Sequence, residues 1–157
     1  MSEVRVDATV PDFELPATGD ENLSLSALRG NSVVLYFYPK ANTPGCTQEG
    51  KDFAELADAF EQAGAVILGI SRDGIKAQEN FRDKYGFPFR LLSDKEETVC
   101  NLFGVLKEKN MYGRKVFGIE RSTFLIDAQG VLRREWRGVK VKGHAEEVLT
   151  AVRDLGD

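Results

Sequence analysis

Cysteine and histidine are nearly absent: Cys46, Cys100 and His144 are the whole supply in 157 residues. Two thiols are too few for the disulfide framework of a small secreted domain. With one imidazole they do not complete a four-ligand zinc site unless carboxylates join them, so neither metal nor cofactor is expected. Long apolar runs are missing as well. Nothing approaches the roughly 18 consecutive apolar residues of a membrane span, and Met1 to Asp7 is polar where a secretory signal needs an apolar centre. Nor is there an excess of positive charge: 21 Lys and Arg face 25 Asp and Glu, interleaved to a net −4. That leaves no basic stripe for a phosphate backbone or an anionic bilayer, so nucleic-acid and membrane partners are not expected. No Gly-x-Gly-x-x-Gly or Walker pattern follows a strand, so no phosphate cradle is expected either. The expected compartment is the cytoplasm, where both cysteines begin as free thiols.

The apolar share of 42% and charged share of 29% are ordinary for a folded chain. No repeat or linker divides it, so a single domain over 1–157 is expected. Ser32 to Tyr38 is a β-branched and aromatic run that suits a strand covered on both faces, and Pro39 ends it. Phe53, Leu56, Ala57, Phe60 and Ala63 then recur at helical spacing, predicting a helix over about 46–63 with Cys46 in its first turn. Strand 65–71, helix 75–85, strand 89–92 and a short helix capped by Ser93 or Asp94 and stopped at Gly104 follow. Strands 122–126 and 131–136 flank the turn Asp127 to Gly130, and a helix over 144–155 closes the chain. Alternating apolar residues at 8–15 and 23–25 predict an N-terminal hairpin. Together these give an α/β sheet with helices on both faces.

The start of a helix is where a cysteine gains chemistry. Free N–H groups and the positive end of the helix dipole favour an anion there, and the thiolate is the reactive form. Pro44 and Gly45 suit such a turn, and Gly45 lets the backbone approach a bound oxygen closely. Thr43 sits three residues ahead, where its hydroxyl is able to curl over the helix start, accept from a peroxide and donate to the sulfur. Fixed donors aimed at the oxygen that departs when an O–O bond breaks stabilise the transition state more than the ground state. The plain alternative for Cys46 is a small packed hydrophobe.

The stretch Tyr38-Pro39-Lys40-Ala41-Asn42-Thr43-Pro44-Gly45-Cys46-Thr47-Gln48-Glu49 resembles the peroxiredoxin active-site loop, Pro-x-x-x-Thr-x-x-Cys. Val10 to Leu15 and Gly118 to Asp127 agree too, and the chain is most similar to the peroxiredoxin Q group, also called bacterioferritin comigratory protein. The resemblance implies a thioredoxin-like fold with a central mixed sheet and a peroxidatic role for Cys46. It also implies that Thr43 and Pro39 shape the pocket, and that Arg121 steadies thiolate and peroxide. Gly45 and Glu49 are expected to support the site, although Glu49 is equally readable as a solvated helix acid and Arg121 as an ordinary surface arginine. The implied partners are a hydroperoxide and, as reductant, thioredoxin, glutaredoxin or a low-molecular-weight thiol. A monomer or weak homodimer is implied.

The sequence departs from the group in its second cysteine. Five residues after Cys46 stands Lys51, and the following helix, 75–85, contains no cysteine. Cys100 is the one internal candidate to resolve a sulfenic acid, but beside Val99, Leu102 and Phe103 it reads better as packing, so a one-cysteine cycle is favoured. His144 reads as a cap or surface residue and Trp136 as packing. Two other functions compete. A monothiol oxidoreductase lacks the second sulfur three residues on, and a non-catalytic redox sensor would be oxidised once and stop.

Overall fold

The computed structural model describes residues 3–156, and the ends of the expected domain, residues 1–2 and 157, lie outside the described residues. The buried run after Asn31 becomes β3 (Ser32–Phe37), an interior strand of a seven-stranded sheet. On one side it pairs in parallel with β4 (Ala65–Ser71), which pairs in parallel with β5 (Arg90–Ser93). On the other it pairs antiparallel with β8 (Ser122–Ile126), then β9 (Leu132–Arg137). An N-terminal hairpin, β1 (Glu14–Ala17) and β2 (Glu21–Ser24), joins the β5 edge antiparallel, giving the order β2-β1-β5-β4-β3-β8-β9. The hairpin is shorter than the alternation suggested, because Thr9 leaves it to bridge Val131.

Successive residues of β3 point to opposite faces. Val34 and Tyr36 face a core built with Phe53 of α1 (Pro44–Glu55), Phe60 of α2 (Ala57–Gln62), Phe81 of α3 (Ile75–Tyr85) and Val148 of α5 (His144–Leu155). Val33, Leu35 and Phe37 face a second core with Val99, Cys100 and Phe103 of α4 (Thr98–Phe103) and the N-terminal segment. Helices therefore cover both faces, unequally, in the thioredoxin-like arrangement.

Two elements differ from the sequence expectation. The helix expected over 46–63 begins at Pro44 and breaks at Leu56, whose N–H bonds back to Phe53 O, three residues away, and tightens the turn. Phe53 and Phe60 both remain fully buried across that break. The second difference is an unexpected arm, β6 (Leu106–Met111) and β7 (Arg114–Ile119), a two-stranded sheet apart from the main one. Its outer part has no buried face, so the alternation that marks a half-buried strand is missing. Its turn is Tyr112-Gly113, both with positive φ, the two-residue geometry that suits a hairpin's twist and that glycine adopts without strain.

Asp94 caps α4 as expected, though from outside the helix: its carboxylate accepts from Val99 N at 3.2 Å and Cys100 N at 2.6 Å. Helix α1 lies unusually close to its neighbour, since a Cβ on Gly50 would fall 2.5 Å from the Phe87 ring.

Candidate active site

Pro39 ends β3, and residues 39–43 carry the chain to α1 at the end of the sheet where the parallel strands finish. Two residues from elsewhere pin that loop. Asp73 accepts from Ala41 N at 2.8 Å and from Ser71 Oγ at 2.6 Å, while Asn42, at φ 62°, accepts from Tyr85 Oη at 3.1 Å. Sequence reasoning missed Asp73; the short polar run Ser71-Arg72-Asp73-Gly74 at a strand end was the signal available.

Thr43 stands just before α1 with extended backbone, and its hydroxyl donates to Lys40 O at 2.7 Å rather than to the sulfur. That differs from the expected curl over the helix start: the nearer carbonyl takes the hydroxyl proton, and the oxygen keeps its lone pairs for acceptance. Pro44 occupies the first helical position, where its missing N–H removes nothing.

Cys46 follows in the first turn, packed with Tyr36, Tyr38 and Phe53 and only 2% exposed, less open than a solvent-reachable thiol would be. Arg121, just ahead of β8, supplies what covers it. One guanidinium nitrogen lies 3.5 Å from Cys46 Sγ, and the other donates to Glu49 Oε1 at 2.7 Å. Gly45 leaves room for this fork, since a Cβ there would lie 3.0 Å from Arg121 Nη2. The arginine is thus no ordinary surface cation, and Glu49 is no solvated helix acid: it is 1% exposed.

Burial pushes the Glu49 carboxyl up to about 7, against the pull of Arg121. Its Oε2 has no hydrogen-bond partner among the described residues. For Arg121, burial works downward, but Glu49 and Cys46 beside it outweigh that and raise it further, so it stays charged at any working pH. Gly45, Cys46, Glu49 and Arg121 therefore meet at one place, while Thr43 stands just ahead of α1 with its hydroxyl on Lys40 O and Pro39 is half-buried just past the end of β3.

His144 is buried, contrary to the cap-or-surface expectation. It packs edge-on against Phe53 and Trp136, and Nε2 lies 2.8 Å from Thr123 Oγ1 on β8. Burial lowers its basicity despite Glu147, which favours the neutral ring. Trp136 packs as expected. Cys100 belongs to the other core, so the sheet stands between the two thiols. Burial pushes the Cys100 thiol up, and the hydrogen bond and charge of Asp94 push it further the same way. No group of three or more metal-binding side chains occurs among the described residues. No helix there is long and apolar enough to cross a membrane.

Comparison with known proteins fits this geometry. Residues 6–135 match the AhpC/TSA family. The chain is 49% identical to "Peroxiredoxin Bcp" of Xanthomonas campestris, over 98% of this chain and 97% of that protein. A crystal structure of a cysteine-to-serine mutant of Xylella fastidiosa PrxQ superposes with a TM-score of 0.94 at 43% identity, covering all of both chains. A Xanthomonas campestris bacterioferritin comigratory protein, described for its alkyl peroxide reduction activity, superposes at 0.91 with 47% identity and full coverage of both.

Proposed function

Since the chain belongs to the AhpC/TSA family and is a peroxiredoxin, a thiol peroxidase, we propose that Cys46 is its peroxidatic residue and that it reduces hydrogen peroxide and alkyl hydroperoxides. The observation that carries the assignment is the Arg121 fork, one arm on the Cys46 sulfur and the other on Glu49. The guanidinium touches the reacting sulfur, so a fixed cation stands where negative charge moves during the reaction. Glu49 holds the fork in place, so the cation does not reorganise when charge moves.

The hydroperoxide has to reach the Cys46 sulfur beside the Arg121 guanidinium. The Cys46 thiolate attacks one oxygen, an S–O bond forms, and the O–O bond breaks. The departing alkoxide or hydroxide takes a proton and leaves as alcohol or water, and Cys46 becomes a sulfenic acid. Arg121 and free N–H groups of the first turn of α1 face the negative charge that builds on the departing oxygen. Thr43, with lone pairs free, accepts the peroxide hydrogen and orients the molecule, while Pro39 and Gly45 shape the approach.

Two external thiols close the cycle. The first displaces water to form a mixed disulfide, and the second releases Cys46 and carries away the new disulfide. Thioredoxin, glutaredoxin or a small thiol fits this role in a reducing cytoplasm. Cys100 packs instead of resolving: a disulfide needs Cα atoms within about 7 Å, and the sheet between the cores supports a one-cysteine cycle. The chain then works as an antioxidant domain, as a monomer or weak homodimer.

The test is peroxide consumption at steady state with a supplied thiol. Wild type is expected to turn over many times, and Cys46→Ser to lose turnover to background. Retained activity in that variant refutes the assignment, and a single oxidation without turnover makes the protein a sensor.

A further inference from the structure

Large apolar side chains exposed among the described residues are Val6, Ile75, Tyr112, Val116 and Phe117, and all but Val6 belong to two neighbouring features. One is the β6–β7 arm. Tyr112 is 99% and Phe117 60% exposed, so the rest of this chain does not cover them. Around them stand exposed Lys107, Lys109, Arg114 and Lys115 against one acid, Glu108: four cations and one anion, a net +3.

The other is a groove of about 600 Å³ between β1, the start of α3 and the start of α4. Phe13, Leu15, Ile75 and Val99 supply its apolar wall. Asp12, Glu14, Glu96 and the buried Asp94 line it together with Lys95: four anions and one cation, a net −3. Ser26 donates to Asp12 from both hydroxyl and N–H at 2.8 Å, which holds that carboxyl below its usual range and ionised.

Arm and groove adjoin. Arg72 donates to Glu97, next to the groove residue Glu96, at 2.8 Å and to Phe117 O on the arm at 3.1 Å. A surface with a cationic apolar projection beside an anionic apolar recess complements its own copy turned through half a revolution. We propose that two copies of this chain pair about a twofold axis, the arm of each lying in the groove of the other. Tyr112 and Phe117 lie against the apolar wall, and the arm's Lys and Arg lie over the acids. Charge that is partly solvent-exposed makes the pair weak and salt-sensitive.

Sedimentation velocity on the full chain, from micromolar to millimolar, tests this. A dimer is expected that grows with concentration and recedes with added salt. Phe117→Ser, at an exposed position, is expected to raise the dissociation constant by about tenfold or more. Lys109→Glu with Arg114→Glu reverses the arm, and Glu14→Lys with Glu96→Lys reverses the groove. Each double variant alone is expected to be monomeric. An equal mixture of the two is expected to pair again, because both arm-in-groove contacts then join opposite charges. A wild type that stays monomeric at every concentration overturns the proposal. So does a mixture that fails to pair while circular dichroism shows both variants folded.

Discussion

The two cysteines occupy the two faces of one sheet, and they show that burial alone does not decide what a thiol does. Cys46 is 2% exposed and Cys100 fully buried, so neither is distinguished by openness. What differs is the neighbouring charge. On the first face a guanidinium lies against the sulfur, while on the second a carboxylate does, and the latter opposes ionisation. The faces differ in polar satisfaction too. Among the described residues, the buried side-chain atoms without a hydrogen-bond partner, Tyr36 Oη, Glu49 Oε2 and Trp136 Nε1, all belong to the Cys46 face or its edge. That half of the core tolerates unsatisfied polarity, as functional regions commonly do.

The contrast is broken most severely at Arg121. Arg121→Ala removes the cation and is expected to lower kcat/KM for peroxide by about 10²–10³, as loss of a fixed transition-state donor does. Arg121→Lys should recover only part, because one ammonium cannot hold sulfur and Glu49 together. Both are read from initial rates over a peroxide series.

Glu49 offers a test through pH. Its folded-state pKa, about 7, lies above its ordinary 4.5, so between those values the folded chain binds the extra proton and stability falls as pH rises. The loss is on the order of 3 kcal/mol across that window. Glu49→Gln should flatten this slope in denaturant midpoints measured over a pH series, while lowering activity because Arg121 loses its anchor.

Cys100→Ala should cost about 1–2 kcal/mol, a small cavity among Phe37, Phe103 and Val99, and leave thiol-supported turnover within about twofold. Loss of turnover there would erase the distinction between the faces. The smallest effect is expected at His144. Because its basicity is depressed on folding, its contribution to stability is present above pH 6.5 and lost as pH falls below it, opposite in sign to Glu49. His144→Gln should remove that acid-side loss and cost about 1 kcal/mol at neutral pH through the weakened link to Thr123.

What was legible in the sequence follows from how local its cause is. The buried strands, the Thr43-to-Cys46 turn and the cap at Asp94 depend on residues close in the chain, and all can be read directly. Arg121 and Glu49 were nameable through the family resemblance, but their ion pair joins residues 72 apart in sequence and needs the β3–β8 pairing to exist first. His144 was misplaced because a lone imidazole opening a helix carries no mark of the Thr123 hydroxyl awaiting it. The arm was invisible because its strands pair only with each other and its outer part leaves its side chains in water.

Gly50 has a consequence for anyone seeking a hardier variant of this enzyme. Replacing a mid-helix glycine by alanine ordinarily strengthens a helix by about 1 kcal/mol, yet here the added methyl would strike the Phe87 ring at 2.5 Å. That common route to heat resistance is closed unless position 87 is trimmed in the same step, so the two sites have to be engineered as one.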